Sequence, residues 1–229
     1  MDDKVMVITG ASSGIGLATA TLAAEAGWRL VLAARSEDKL EAAVAACGGP
    51  GRALAVRCDV TSHEDQTAMA AAALDTFGRI DVVFANAGRG GSPGGFTGAD
   101  PAHWRDILMT NVYGVALTCQ VTIPALKASQ GQIVLTGSRA GRRTIAGSMY
   151  STSKWAVSAI GYGLREELAG TGIRVTLLEP GMVDTPFFDA PKPDALTAAD
   201  VARTVLHAVS QPAGVELHEI MILPTPPAR

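Results

Sequence analysis

Tyr150 and Lys154 lie four residues apart in the segment YSTSK, twelve residues after Ser138. On a helix this spacing puts a phenol and an ammonium on one face, one turn apart. An ammonium about 4 Å from a phenolate, at an effective dielectric near 20, is worth up to ~4 kcal/mol, or about three pKa units. The pair therefore predicts a tyrosine with a pKa lowered into the range of a proton donor, and Ser138 can hold the same oxygen. A Tyr–Lys pair alone also suits an ordinary helix surface, so its surroundings decide the interpretation.

A glycine-rich turn, TGASSGIG, follows the first apolar run of the chain and opens a helical stretch. Gly10 allows a tight turn, Gly14 lets the backbone approach a phosphate, and Gly16 lets helix and strand pack closely. The N–H groups at the start of the helix then face a ligand of negative charge. A tight turn without a ligand is the alternative, but strand, turn and helix in this order favour a dinucleotide's pyrophosphate.

The end of the second apolar run bears on which dinucleotide would bind. NAD-binding folds place a carboxylate about 20 residues beyond the glycines, where it accepts from the ribose hydroxyls. This chain has Ala34 at that place and Arg35 after it. A guanidinium can pair with a 2′-phosphate through two parallel hydrogen bonds, so we expect NADP(H) in preference to NAD(H). A solvated surface arginine is the alternative interpretation of Arg35.

Composition excludes some functions and is silent on others. With 229 residues, 48% hydrophobic and 18% charged, the chain predicts one domain, residues 1–229, with strands buried on both faces. A net charge of -3 gives no electrostatic reason to bind nucleic acid or an anionic membrane. No signal peptide or spanning apolar run is evident, and the three cysteines lack metal-ligand spacing. We therefore expect a cytoplasmic protein with reduced thiols.

Short apolar runs alternate with longer helical stretches along the whole chain. Seven runs rich in Val, Ile and Leu are too short for helices and predict strands: Val5–Thr9, Leu30–Ala33, Ala53–Arg57, Val82–Ala85, Ile133–Thr136, Val175–Leu178 and Ile220–Leu223. Capping boxes are predicted at Thr61 with Glu64 and at Thr197 with Asp200. The alternation predicts an α/β fold, a Rossmann-like doubly wound sheet of seven mainly parallel strands with helices on both faces.

Taken in order, the motifs resemble those of the short-chain dehydrogenase/reductase family over nearly the whole chain. TGASSGIG matches the family's cofactor turn, and CDV places Asp59 where the family contacts adenine. NAG at Asn86–Gly88 matches a motif beside the cofactor, and PGMVDT at Pro180–Thr185 resembles the segment that closes over the nicotinamide. Asn111, inside a predicted helix over Pro101–Ser129, matches the family's fourth catalytic residue.

The resemblance implies a set of site residues. The implied catalytic residues are Asn111, Ser138, Tyr150 and Lys154. The implied cofactor contacts are Gly10, Ser12, Ser13, Gly14, Ile15, Gly16, Arg35, Asp59, Val60, Asn86, Ala87, Gly88, Tyr150, Lys154, Pro180, Gly181, Val183 and Thr185. No metal is implied, because hydride passes directly between the nicotinamide and the substrate carbon.

Some positions depart from the family's pattern. ANAG replaces the usual NNAG, and TGS replaces the common ISS before the catalytic serine. No basic residue precedes Gly14, so the preference for NADP(H) depends mainly on Arg35. The segment after PGMVDT is short, which predicts a relatively open substrate pocket. The loops Gly88–Gly98 and Pro186–Pro193 both follow strands at the edge where such sheets bind ligands.

These observations predict an NADP(H)-dependent oxidoreductase that interconverts a carbonyl and an alcohol, with a tyrosine general acid and base. A non-catalytic NADP-binding sensor or scaffold of the same fold is the alternative. A nucleotide-sugar epimerase would need a larger substrate domain, and a methyltransferase would not need the Tyr–Lys pair. Members of the family commonly pair their long helices, so a homodimer or homotetramer is expected, with a small-molecule substrate and neither nucleic acid nor membrane as partner.

Overall fold

The computed structural model describes residues 4–91 and 93–226, which contain nine strands. They are β1 (Val5–Thr9), β2 (Arg29–Ala34), β3 (Ala53–Arg57), β4 (Val82–Ala85), β5 (Gln132–Thr136), β6 (Arg174–Pro180), β7 (Val183–Asp184), β8 (Leu196–Thr197) and β9 (Glu219–Ile222). Seven form one sheet in the order β3-β2-β1-β4-β5-β6-β9, and every neighbouring pair is parallel. The predicted doubly wound sheet of seven strands is confirmed.

Helices cover both faces of this sheet. They are α1 (Gly14–Glu25), α2 (Glu37–Ala46), α3 (His63–Phe77), α4 (Gly95–Gly98), α5 (Pro101–Leu108), α6 (Gly114–Ser129), α7 (Met149–Glu167) and α8 (Ala198–Val209). A π-helical turn, Met109–Tyr113, joins α5 to α6, and a 3₁₀ turn, Arg139–Gly141, follows β5. Because side chains alternate along a strand, Met6 and Ile8 pack towards α1 and α8, while Val5 and Val7 pack towards α3 and α6.

Strand ends differ from the prediction by one or two residues. β6 continues through Pro180, because β9 pairs with it as far as the Pro180–Ile222 position. β7 and β8 were not predicted, since two residues are too few to produce an apolar pattern. Cys47, Cys58 and Cys119 are free and buried.

One of the two predicted helix caps is misplaced by a residue. The first helical residue of α3 is His63, and its capping pair is Ser62 with Asp65, whose N–H donates to the Ser62 hydroxyl. The Thr61 hydroxyl instead donates to Asp59 Oδ1, which removes it from the helix start. The capping box of α8, Thr197 with Asp200, is confirmed.

The helical segment Pro101–Ser129 is long and apolar. Among the described residues it is the one helix with the length and composition of a membrane span, with a mean hydropathy of 1.3 in its most apolar window. The sequence analysis stated that no apolar run was long enough to span a membrane, and this helix corrects that statement. Val115, Cys119 and Leu126 of this segment are buried against the sheet, and 44% of the window lies inside the fold. Burial in a core of this kind accounts for the apolar composition.

Candidate active site

The carboxyl ends of the parallel strands border a cavity of about 460 Å³. Its walls include residues that the sequence assigned to a cofactor or to catalysis: Gly10, Ser12, Ser13, Gly14, Ile15, Arg35, Asp59, Val60, Asn86, Ala87, Gly88, Ser138, Tyr150, Lys154, Pro180, Gly181, Val183 and Thr185. Two assigned residues, Gly16 and Asn111, lie behind the walls. The sheet therefore brings together side chains that are far apart in the chain, at the edge where doubly wound sheets bind ligands.

The glycine turn between β1 and α1 has the geometry of an anion cradle. Gly10 and Gly14 have φ of 67° and 53°, the left-handed region that favours glycine. Ser13 precedes the first turn of α1, and its side chain makes no capping hydrogen bond. The first N–H groups of α1 are therefore available to a phosphate at the cavity wall. A Cβ on Gly16 would overlap the Gly10 carbonyl, so a glycine is needed here for the turn to pack against α1.

Asn86, directly after β4, stabilises this turn through hydrogen bonds to Thr9. Its Nδ2 donates to the Thr9 carbonyl oxygen at 3.1 Å, and its backbone N–H donates to the Thr9 hydroxyl at 3.1 Å. The Ala87 N–H donates to the same hydroxyl, also at 3.1 Å. The NAG motif thus fixes the distance between the ends of β1 and β4, and so the width of the cavity there.

Basic side chains border the cavity beyond the end of β2. Arg35 and Lys39 lie in the wall, Arg35 directly after β2 and Lys39 in the first turn of α2. Asp59 lies near them, and its pKa is lowered mainly by hydrogen bonding from Thr61, with Arg35 adding a smaller electrostatic effect. The sequence analysis missed Lys39, and its place in the first turn of the helix that follows Arg35 was the available signal. Two cations at this place fit a phosphate group.

Ser138, Tyr150 and Lys154 converge at the ends of β5 and α7. Ser138 follows β5, and its hydroxyl accepts from the Ala140 N–H at 3.0 Å. Tyr150 lies in the first turn of α7, where Ser148 caps the helix by accepting from the Ser151 N–H. Lys154 is 5% exposed, and its Nζ lies 5.7 Å from the centre of the Tyr150 ring. The predicted reaction centre is therefore assembled in space.

The expected lowering of the Tyr150 pKa is not found in this structure. Burial raises the pKa of Tyr150, and hydrogen bonding with Ser138 offsets only part of that rise. Burial also lowers the pKa of Lys154 to about 8. The Lys154 ammonium donates to the Thr136 carbonyl oxygen at 2.7 Å. The simple distance argument failed because it ignored the cost of burying both groups.

Asn111 supports the site from behind and lies in the π-helical turn. Its Oδ1 accepts from the Arg89 N–H at 2.8 Å, and its Nδ2 donates to the Arg89 carbonyl at 2.9 Å. The same Nδ2 donates to the Ser153 hydroxyl at 3.0 Å. A π-helical turn often marks a functional position, because it redirects one side chain without ending the helix. Here it directs a fully buried amide towards the loop beside Gly88.

Comparison with known proteins agrees with this geometry. The sequence model of the short chain dehydrogenase family matches residues 4–195. The chain belongs to the short-chain dehydrogenase family. An uncharacterised oxidoreductase of Staphylococcus aureus strain N315 is 38% identical to it, over 98% of each chain.

Solved structures of related proteins have the same Rossmann fold. An alcohol dehydrogenase from the archaeon Thermococcus sibiricus, complexed with 5-hydroxy-NADP, has a TM-score of 0.89 at 30% identity and 99% coverage of both chains. A 3-ketoacyl-(acyl-carrier-protein) reductase from Brucella melitensis, complexed with NADH, has a TM-score of 0.89 at 28% identity. The match covers 96% of this short-chain dehydrogenase and 97% of the reductase. Nicotinamide cofactors of both kinds therefore occur among its structural relatives.

An aromatic side chain that the sequence analysis did not assign lies beside the reaction centre. The ring of Phe187 lies 5.7 Å from that of Tyr150, and Phe188 packs edge-on against Phe187 at 5.3 Å. A Cβ on Gly90 would overlap the Phe187 ring, so this glycine provides the space that the ring fills. The sequence predicted an open pocket, yet Phe187 bridges the two loops that border it. The pair FF, one residue after the PGMVDT segment, was the available signal.

Proposed function

We propose that this short-chain dehydrogenase transfers hydride between NADP(H) and a small carbonyl or alcohol, with Tyr150 as the general acid in reduction. One observation carries the proposal: the glycine turn, Arg35 and the Ser138–Tyr150–Lys154 group all border one cavity. β2 and β5 are separated by three strand spacings in the sheet, or about 14 Å. A cavity that extends from Arg35 to Tyr150 therefore suits an extended dinucleotide.

The preference for NADP(H) rests on charge at the β2 end of the cavity. Arg35 and Lys39 supply two cations for a 2′-phosphate, and Ala34 removes the carboxylate that would repel it. Arg35 forms no ion pair within residues 4–91 and 93–226, so its guanidinium is free to bind a ligand. The complex of the Thermococcus sibiricus enzyme with an NADP derivative supports the same choice.

The chemistry follows from the residues around Tyr150. A bound reduced nicotinamide would supply the hydride to the carbonyl carbon. As the C=O double bond becomes a C–O single bond, Tyr150 donates its phenolic proton to the oxygen, and the Ser138 hydroxyl holds that oxygen in place. Lys154 keeps positive charge near the phenolate that remains. Asn111 holds the Arg89 loop, and we assign it the support of a proton relay through Lys154.

Protonation of Tyr150 makes the two directions depend on pH in opposite ways. Because burial raises its pKa, Tyr150 is protonated at neutral pH and ready to donate a proton in reduction. Oxidation of an alcohol needs the phenolate, so its rate should rise with pH across the alkaline range. Lys154, with a pKa of about 8, loses its charge within that range and limits the gain.

Replacement of the proposed proton donor tests the function. Tyr150→Phe keeps the ring and removes the hydroxyl, so turnover should fall at least ~100-fold while NADPH binding survives. The measurement is NADPH absorbance with a panel of aldehydes, ketones and hydroxy acids, alongside NADPH titration of both proteins. Retention of most activity by Tyr150→Phe would place the proton donor elsewhere. Tight NADPH binding by the wild type with no turnover on the panel would favour a sensor.

A further inference from the structure

A buried ion pair lies behind the reaction centre, outside the cavity walls. Arg142 Nε is 2.6 Å from Glu179 Oε1, and Glu179 is fully buried at the end of β6. Arg142 Nη2 also reaches Glu219 Oε1 at 2.8 Å and the Tyr162 hydroxyl at 2.6 Å. The Tyr162 hydroxyl donates to Glu219 Oε2 at 2.8 Å. One guanidinium thus connects β6, β9 and α7.

The pair is adjacent in the chain to two parts of the reaction centre. Arg142 directly follows the 3₁₀ turn Arg139–Gly141, which begins after Ser138. Glu179 directly precedes Pro180 and Gly181 in the cavity wall. The Ser158 hydroxyl, one turn along α7 from Lys154, donates to Glu179 Oε1 at 3.3 Å.

The turn after Ser138 is packed closely against α7 and β6, so its position depends on the contacts that hold it there. A Cβ on Gly141 would lie 2.7 Å from the Lys154 carbonyl oxygen, and one on Gly137 would lie 3.2 Å from Glu179 Cγ. The Ser151 hydroxyl donates to the Ala140 carbonyl at 2.6 Å, which ties the turn to α7. Arg142 supplies the corresponding tie to β6.

A buried ion pair of this kind is not explained well by a contribution to stability. Removing two charges from water costs free energy that their attraction often fails to recover, so apolar replacements are frequently as stable. Burial raises the pKa of Glu179, and Arg142 offsets part of that rise. Glu179 Oε2 and Arg142 Nε both lack a hydrogen-bond partner within the part of the chain that the structure describes, so the 2.6 Å contact of Arg142 Nε with Glu179 Oε1 is an ion pair and not a directed hydrogen bond. What the pair provides is a short, fixed distance between the turn after Ser138 and the end of β6 beside Pro180.

We propose that Arg142 and Glu179 are positioning residues, which fix the turn after Ser138 against the end of β6 and so set where the Ser138 hydroxyl meets the substrate oxygen. The inference rests on the function proposed above. It assigns the two residues no contact with substrate, and they act through Ser138.

Glu179→Gln tests this by removing the charge while keeping the shape. We expect kcat to fall about tenfold, because small displacements of a reacting group cost that much or more, while KM for NADPH changes less than about twofold. The Ser138 hydrogen bond lowers the pKa of Tyr150, so its displacement should also move the inflection of the oxidation rate to higher pH. Arg165→Met is the control, because it breaks another ion pair, that of Arg165 on α7 with Glu216, which lies at the surface.

A readout without turnover separates this inference from the proposed function. Amide hydrogen exchange at residues 138–142 should become roughly tenfold faster in Glu179→Gln and stay unchanged in Arg165→Met. If the wild type reduces no carbonyl, the proposed function fails, and the exchange result still decides the inference. The positioning inference is overturned if amide exchange at residues 138–142 is unchanged in Glu179→Gln, or if this variant has the kcat of the wild type.

A double variant distinguishes positioning from simple stabilisation. Arg142→Met with Glu179→Met replaces the pair by apolar side chains, which should recover the melting temperature lost in the single variant. It also carries the test if Glu179→Gln fails to fold. A kcat that stays low at a recovered melting temperature supports positioning. A kcat that returns with the melting temperature overturns it.

Discussion

The buried ammonium of Lys154 lowers the stability of this protein and takes part in the chemistry that we propose for it. Lys154 is 5% exposed, and its hydrogen bond goes to a neutral carbonyl oxygen, that of Thr136. Burial lowers its pKa from 10.5 to about 8, so the folded state holds this charge at a cost in free energy. A side chain selected for stability alone would be apolar here. Lys154 is therefore a place where function and stability oppose each other.

Lys154→Met should stabilise the protein while reducing its activity. The difference between the two pKa values corresponds to about 3 kcal/mol, and the lost hydrogen bond to Thr136 reduces the net gain to roughly 1–2 kcal/mol. Between pH 8 and 10.5 the unfolded chain binds more protons at Lys154 than the folded protein does. Wild-type stability should therefore rise with pH through this window and approach that of the variant. Urea unfolding of both proteins near neutral pH and near pH 10 measures this, and a variant less stable at neutral pH contradicts it.

Arg35 should decide the choice of cofactor. Arg35→Ala should weaken NADPH binding by ~1.5–3 kcal/mol, the worth of a charged hydrogen bond, and leave NADH nearly unchanged. Lys39→Ala should cause a smaller loss in the same direction. Titration of each protein with both cofactors measures the effect. Arg52→Ala is the control, because Arg52 binds the Ala24 carbonyl and lies outside the cavity walls. Equal affinity of the wild type for NADPH and NADH would contradict the proposed preference for NADP(H).

The loops Gly88–Gly98 and Pro186–Pro193, which the sequence analysis described separately, contact each other beside Tyr150. Phe187, from the segment after β7, fills the space left by the missing side chain of Gly90. Its ring lies against the Tyr150 ring. If Tyr150 is the proton donor as proposed, Phe187 limits the shape of the substrate that can reach it.

Phe187→Ala should lower kcat/KM about fivefold to tenfold, the worth of one aromatic pair, with most of the effect in KM. Gly90→Ala should act in the same direction, because the added methyl group displaces the ring. The two changes address one contact, so the double variant should be little worse than either single one. Phe96→Ala is the control, since Phe96 packs on Trp104 and not on Tyr150. Additive losses in the double variant would mean that the two residues act separately.

The sequence predicted regular elements well and loop contacts poorly. Strands came from short apolar runs such as Val82–Ala85, since burial on both faces leaves a direct mark on composition. The Phe187–Gly90 contact leaves no such mark, because it depends on how two distant loops meet. The same is true of Arg142 and Glu179, which look like ordinary surface charges until the fold brings them together. The pKa of Tyr150 was misjudged for the related reason that burial depends on the whole fold.

At the scale of the whole molecule, exposed apolar side chains on the long helices suggest where copies of the chain would meet. Leu108 and Tyr113 lie on the Pro101–Ser129 segment, and Trp155 lies on α7, each 37% exposed or more. Trp155→Glu should therefore dissociate a dimer or tetramer, because a buried unpaired carboxylate opposes association. Light scattering after size exclusion measures the mass, with Phe96→Glu as the control at an exposed position on another element. A monomeric wild type contradicts the expected oligomer.

The pairing of β9 with β6 also governs when the reaction centre can form during synthesis. The Gly181 N–H donates to the Ile222 carbonyl at 2.8 Å, and Arg142 binds Glu219 on the same strand. A nascent chain that has passed Thr185 already contains every side chain assigned to the site. Its Pro180–Gly181 wall, however, lacks the hydrogen bonds to β9 until the ribosome has released Glu219–Ile222. A chain stalled before β9 would therefore contain every side chain assigned to the site but would lack the edge strand that holds the Pro180–Gly181 segment in place.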